Sequence, residues 1–594
     1  MAAMFSTLLL FIYSTVFFQC TVRASCEPEY AFYPPSYSQD TLTDTFLDIQ
    51  ESLNALIAQQ EAINDTSLAI QIASSKETLF QFYHTSLKAE ENSPANIING
   101  STVFRIESNT KLFVALAILQ QEAKGHLNLD DSVLHYLQDL DDDKSSFDFE
   151  KITIRSLLSH TSGLPDTPAD DDLLVSLSDP TVYGLPPVSN KRINSLPQCD
   201  AFSNYTVPCT EQDLLRILPQ YGPVLPPHVV ASYSNIGFDL LGLVLSNVTN
   251  MSYQDYISSS ITRPLGLNNT SFTPPAQSAA KLPYPSAWGE VPGVDGAAGG
   301  LYSSPTDMTT FLQHCLLAHN SITPSLDWFF PMAYSVGSHS FFGFPWEIFR
   351  TSGILPDSER LMTFITKGGG GTEYYSYSII IPAYDLVVFL VLAGELPALN
   401  AVFAAVRDRL VIGAERVAQQ TLQSTYAGTY SASPSSCTST LCAQNPQGIN
   451  SSLTIALSPS RSLYISSFIS NSTDTLQALL AVAGAQSGQT GTVYFSFTPM
   501  FRTLTASDPA DDNQTRTGEV WRFINVIDDT GSGNATNATN VWDDYCVSNL
   551  DPLRYGGVSV NEVIFWRGTG SASANVEEIQ IPAFQVVLGK EKSG

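Results

Sequence analysis

Ser108-Asn-Thr-Lys-Leu-Phe-Val-Ala-Leu-Ala-Ile-Leu-Gln120 is a run of good helix formers that is apolar nearly all round. A helix without a polar face belongs inside a core. Its entrance is nevertheless polar, with a serine at 108 and a lysine three positions on. Residues three apart share a helix face, so the Lys111 amine can reach the Ser108 hydroxyl. Burial disfavours an ammonium, which predicts a neutral Lys111 able to take the Ser108 proton. Taken alone, the pattern also fits a core helix capped by Ser108, with Lys111 snorkelling to solvent.

Two later stretches change that balance. Tyr233-Ser-Asn235 follows a Pro-rich loop and opens another apolar helix, Ile236 to Leu245. At a helix entrance the first and third side chains can point into one cleft. A phenol near two lysines is stabilised as phenolate and can act as general base or protonate a leaving group. Asn235 can donate to a substrate carbonyl and steady Lys111. A packed tyrosine and an Asn turn are the plainer alternative. Thr366-Lys-Gly-Gly-Gly-Gly-Thr-Glu-Tyr-Tyr-Ser-Tyr-Ser-Ile-Ile-Ile-Pro382 reads as a strand, alternating and rich in aromatic and β-branched residues. Its glycines let backbone approach a ligand closely, which makes Gly368, Gly369 and Gly370 substrate-binding candidates. Lys367 adds positive charge beside the tyrosine and can attract an anionic substrate group. The amides of Ser108 and Gly370 can form an oxyanion hole. A flexible glycine loop with a solvated lysine is the alternative here.

In this order, Ser-x-x-Lys, Tyr-x-Asn and Lys-x-Gly resemble the serine β-lactamase-like superfamily, in its class C β-lactamase, esterase and D-peptidase branch. Phe104-Arg-Ile-Glu-Ser108, Leu157-Leu-Ser-His-Thr-Ser-Gly-Leu-Pro165 and Gly299-Gly-Leu-Tyr-Ser-Ser-Pro-Thr-Asp-Met308 carry the same likeness, which spans roughly Ser67 to Ala414. Secreted fungal β-lactamase-like proteins with a β-rich C-terminal extension are the most similar group. The resemblance implies an α+β fold, with an antiparallel sheet flanked by helices and a helical subdomain. It implies catalytic roles for Ser108, Lys111, Tyr233, Asn235 and Lys367. Two departures stand out. Lys-Gly-Gly replaces Lys-Thr-Gly, removing a hydroxyl that helps hold a β-lactam carboxylate, and Glu373 brings negative charge near the cleft. Both argue against a dedicated antibiotic hydrolase.

The remaining sequence sets the context. A chain of 594 residues is long for one core. Its net charge of −29 excludes a general nucleic-acid or anionic-membrane binder. Phe5 to Phe18 is too short an apolar run to span comfortably, and Val22-Arg-Ala24 offers a cleavage site, so residues 1–24 read as a signal peptide. The n-region lacks Lys and Arg, which leaves an uncleaved anchor as the alternative. Twelve Asn-x-Ser/Thr sequons, at Asn64, Asn99, Asn204, Asn247, Asn250, Asn268, Asn269, Asn450, Asn471, Asn513, Asn534 and Asn537, favour a secretory pathway. Cys199 with Cys209, and Cys437 with Cys442, bracket short loops and are disulfide candidates; Cys26, Cys315 and Cys546 leave one pair and one free thiol, with Cys315 the better candidate for a buried thiol. The histidines lack metal-ligand spacing, no CxxC occurs, and no GxSxG or phosphate-cradling glycine pattern is present. No cofactor and no metal are expected.

The anchors predict a hairpin at Ser67–Ala73 and Thr78–Tyr83, helix and loop from Lys111 to His319, two strands turned at Pro382–Asp385, and a closing helix over Leu399–Leu410. From about Thr425 short alternating strands take over: Tyr426–Tyr430, Leu453–Leu457, Leu463–Ser467, Val493–Phe497, Trp521–Asn525 and Glu562–Trp566. They predict an all-β C-terminal domain, and its resemblance to those of relatives makes it lipocalin-like. The expected domains are a β-lactamase-like serine hydrolase at 25–420 and a β-rich domain at 421–594. The expected function is a secreted, extracellular hydrolase acting through a Ser108 acyl-enzyme on a small-molecule or short-peptide ester or amide. Nucleic-acid partners and a stable membrane anchor are not expected, and oligomeric state is unspecified. An acyltransferase of secondary metabolism, or a non-catalytic binding protein with a retained pocket, are the alternatives.

Overall fold

The structure, a computed structural model, describes residues 27–591 apart from 39, 87–96, 142–144, 168–172, 178, 194–198, 200–207, 276–287, 290–292, 318–325, 359, 372, 395, 433–449, 488–491, 509–510, 529–549 and 568–575. Phe32–Thr425 forms one compact unit; Tyr426–Gly594, with the residues up to Ala31, forms the other.

The first unit is built on an eight-stranded sheet. Its strands are β1 (Ser67–Ser74), β2 (Thr78–His84), β3 (Ala333–Tyr334), β4 (Ser340–Phe342), β5 (Glu347–Thr351), β6 (Met362–Gly370), β7 (Tyr374–Ile381) and β8 (Leu386–Ala393). They lie in the order β2-β1-β8-β7-β6-β5-β4-β3, all antiparallel. β1 comes from the start of the domain and pairs Ser67 with Ala393 at its end, so the sheet closes around a long insertion. Every residue of β1 and β8 is buried. Covered on both faces, β8 can be the continuous apolar run Leu-Val-Val-Phe-Leu-Val-Leu-Ala without alternation. The turn before it uses Pro382 in a short 3-10 segment and Asp385 in the left-handed region, φ 54°. Asp385 is anchored there by the Ser75 hydroxyl, 2.8 Å from Oδ2.

Helices cover the sheet. α1 (Thr43–Gln59) and α5 (Leu396–Thr425) pack together, and α4 (Pro305–Leu317) packs on β8 and β1. Within the insertion α2 (Thr110–Ala123) packs on α3 (Asn235–Thr249). α2 is buried on all sides, as its composition requires. α5 runs well past the Leu399–Leu410 expected from sequence. Its later turns mix alanines, glutamines and charges, which leave little apolar periodicity to read. Cys199 and Cys209 form a disulfide, and Cys315 is a buried free thiol. Cys26, Cys437, Cys442 and Cys546, the signal-peptide reading, and Asn204, Asn534 and Asn537 lie outside the described residues.

The second unit is a closed antiparallel barrel of eight strands, lipocalin-like. They are β9 (Gly428–Ser431), β10 (Ser452–Ser458), β11 (Ser462–Ser470), β12 (Thr492–Asp508), β13 (Asp511–Asp528), β14 (Glu562–Arg567), β15 (Val576–Ile581) and β16 (Val586–Lys590). The ring runs β10-β9-β16-β15-β14-β13-β12-β11 and is closed by β11 on β10. Phe497, Trp521 and Phe565 meet edge to face in its interior, filling it as barrels of this size are filled. β12 and β13 are much longer than their apolar segments, because Thr505–Asp508 still pairs with residues between Asp511 and Thr517 across the hairpin. Tyr30 belongs to this unit: its carbonyl accepts from Thr498 Oγ1 at 2.8 Å, and its ring meets Phe501 edge-on.

Candidate active site

Ser108 stands on a forced turn. Glu107 before it takes φ 48°, a conformation that costs a residue with a Cβ about 1 kcal/mol or more. The surroundings hold it there. Glu107 O accepts from Thr110 Oγ1 at 2.7 Å, and that oxygen accepts in turn from the Leu301 N–H at 3.0 Å. Arg105 Nε pairs with the Glu107 carboxylate at 2.9 Å. Ser108 is thereby left half-buried while Glu107, Asn109, Thr110 and Lys111 are buried. A reactive hydroxyl at the floor of a cleft needs that combination.

Lys111 Nζ lies 2.9 Å from Ser108 Oγ, 2.6 Å from Asn235 Oδ1 and 2.8 Å from Ala298 O. The last two oxygens only accept, so they take two N–H groups. The third position on the nitrogen faces Ser108. It carries a proton in the ammonium and a lone pair in the amine, so a neutral Lys111 would accept the serine proton along that line. Asn235 is fixed in turn, its Nδ2 donating to Asp166 Oδ1 at 2.9 Å.

Tyr233 is delivered by the entrance of α3. Ser234 caps that helix, accepting from the Gly237 N–H at 3.1 Å and donating to Pro165 O at 2.6 Å. Lys111 and Lys367 place their Nζ atoms 5.1 Å and 5.0 Å from the Tyr233 ring centre. Burial by itself pushes the phenol up. The two ammonium groups, helped by the hydrogen bond to Ser108 and opposed by Glu347, overcome it and hold the pKa below the usual phenol value.

His160 lies against the tyrosine, ring centres 4.5 Å apart in a stacked arrangement. Its Nδ1 accepts the Ser234 N–H at 3.2 Å, which puts the proton of the neutral ring on Nε2. Burial, then Lys111 and Lys367, hold its pKa well below that of an ordinary imidazole. It is an uncharged platform for Tyr233.

β6 forms the third wall. Lys367 Nζ donates to Glu347 Oε1 at 2.7 Å and to Gly368 O at 2.6 Å, and it shares a hydrogen bond with Tyr233. Burial lowers the Lys367 pKa, but Glu347 and Tyr233 raise it further, so the group stays an ammonium. Gly368 N–H donates to Glu347 Oε2 at 3.0 Å. The neighbouring strand β5 starts at Glu347, opposite Thr366. Strand periodicity puts the Gly370 N–H on the same edge as that of Gly368, two residues beyond.

Gly369 is packed beneath the nucleophile turn. A Cβ there would lie 2.4 Å from Ile106 O and 2.5 Å from Ser376 Oγ. Ser376 Oγ already donates to Ile106 O and accepts from Asn109 Nδ2, both at 2.7 Å. Gly369→Ala is therefore expected to cost about 1–3 kcal/mol by overpacking and to displace Ser108. Thermal melting and ester turnover should both fall; an unchanged Tm would mean the two segments part without penalty.

Ser108, Lys111, Tyr233, Asn235 and Lys367 thus converge, with Gly368–Gly370 beside them. Glu373 takes φ 69° just before β7. In the sequence His160 is visible only as part of Leu157–Pro165, and no local pattern marks Glu347 or Asp166. Among the described residues no group of three or more His, Cys, Asp or Glu side chains could hold a metal ion. No described helix is long and apolar enough to cross a membrane.

The chain belongs to the beta-lactamase family of serine hydrolases, whose profile matches residues 73–412. A second profile, described as "Beta-lactamase-like-like, C-terminal domain", matches residues 418–592. A probable hydrolase of Phoma sp. is 34% identical over 572 residues, covering 95% of this chain and 91% of that protein. Another probable hydrolase, from Cochliobolus lunatus, is 33% identical over 589 residues, with 95% and 91% covered. A beta-lactamase-like protein of Arthroderma benhamiae is 29% identical over 371 residues, 58% of this chain and 60% of its own.

Proposed function

We propose that the protein is a secreted hydrolase that cleaves an ester or amide through an acyl-enzyme on Ser108. The contact that carries this reading is Lys111 Nζ at 2.9 Å from Ser108 Oγ, held from two other sides by Asn235 and Ala298. Ser108 Oγ attacks the carbonyl carbon, and its proton passes to Tyr233 or Lys111. The amides of Ser108 and Gly370 receive the oxyanion. On collapse the bond to the leaving alcohol or amine breaks, and Tyr233, with Lys367 beside it, returns a proton to the leaving group. Water then adds to the acyl-enzyme and gives its proton to the same base; the bond between Ser108 Oγ and the acyl carbon breaks, the base returns the proton to Oγ, and the acid leaves.

Export is supported by the disulfide Cys199–Cys209 and by the apolar N-terminal run. Asn99, Asn250, Asn268 and Asn471 stand exposed, as glycan acceptors must. The similar fungal proteins described as probable hydrolases point to the same chemistry.

The test is trapping. The full chain mixed with p-nitrophenyl acetate should gain one acetyl group by intact mass, released with time and mapped to Ser108 by peptide mass. An acetyl group found elsewhere, or none at all, would remove the mechanism.

A further inference from the structure

The third wall carries a charge arrangement that the reaction itself does not require. An ammonium has three N–H donors. Those of Lys367 go to Glu347 Oε1, Gly368 O and Tyr233. Glu347 is held in place for this: its second oxygen takes the Gly368 N–H at 3.0 Å, and the paired side chains are only 1% and 20% exposed. The residue after the lysine is a glycine, so no hydroxyl stands beside it, and a Cβ there would already touch Glu347 Oε2 at 3.4 Å. Across the site Asp166 is exposed and attached to Asn235 at 2.9 Å. The Lys367 ammonium is thus paired with the Glu347 carboxylate, Asp166 adds a carboxylate on the far side of Asn235, and Tyr233 adds a negative charge whenever it is ionised. Among the described residues, the cation of this wall is already taken up by Glu347, and a carboxylate brought beside it meets like charge.

We infer that Glu347, acting through Lys367, sets the specificity of the site: it selects acyl donors with no anionic group beside the scissile bond and rejects carboxylate-bearing ones. This rests on the acyl-serine reading above and narrows it to neutral esters and amides.

The experiment compares p-nitrophenyl butyrate with p-nitrophenyl hemisuccinate on the full chain at low salt, for the wild type and Glu347→Gln. The wild type should favour the neutral ester by at least about tenfold in kcat/KM. Glu347→Gln should shrink that preference by about tenfold, because it frees the Lys367 charge. A general structural loss would lower both rates and leave the ratio alone. Equal wild-type rates, a preference for the hemisuccinate, or a ratio unmoved by Glu347→Gln would each overturn the proposal. If the variant does not fold, inhibition of the wild type decides: 3-carboxyphenylboronic acid should bind at least about tenfold more weakly than phenylboronic acid, and equal or tighter binding overturns it. Failure of both esters to acylate Ser108 is a different result, seen by intact mass. It removes the acyl-serine reading and the inference with it.

Discussion

Ser108→Ala is expected to lower the turnover of p-nitrophenyl acetate by at least about 10⁴-fold, the scale on which loss of a nucleophile acts in serine hydrolases. The fold should survive. Ser108 is half-buried, and its hydroxyl is only one of three partners of Lys111, which keeps Asn235 and Ala298. Melting should therefore move little, within about 1 kcal/mol of stability. A truncation that removes catalysis without unfolding separates chemistry from structure. Retention of even a tenth of the wild-type rate by a well-folded Ser108→Ala would place the nucleophile elsewhere.

Tyr233→Phe should reduce kcat/KM by about 10²- to 10³-fold, in the range of a lost general base. Its pH dependence is the sharper readout. A base works when deprotonated, so activity should rise with pH through the Tyr233 pKa. Burial raises that pKa, but Lys111 and Lys367 outweigh it, so the rise should come below the ordinary phenol range. The phenylalanine ring can keep its stack on His160 while losing the hydroxyl, and the rising limb should disappear with it. A variant that loses less than tenfold and keeps the limb would assign the proton transfer to Lys111 instead.

The nucleophile and its lysine could be read locally, because a spacing of three residues at a helix entrance brings both groups together. Tyr233, Asn235 and Lys367 could be found as motifs, but only the fold brings them to Ser108. What the sequence concealed are contacts between distant positions. Glu347 meets Lys367 across two strands, 20 residues apart, and no local pattern marks that glutamate as a partner. Asp166 orients Asn235 from 69 residues away. The left-handed Glu107 leaves no trace either, since glutamate is not a residue that advertises such a backbone. The same holds for architecture. β8 could be read because a buried strand is uniformly apolar, whereas the polar ends of β12 and β13 are held by pairing alone.

The short N-terminal piece around Tyr30 has a consequence for biogenesis. It docks on Thr498 and Phe501, so the first described residues finish a module whose strands are translated last. A ribosome must extrude all of Phe32–Thr425 before that partner exists. Such a distant pairing is slow to form and leaves surface uncovered meanwhile. The barrel is therefore the half of the molecule that is completed last.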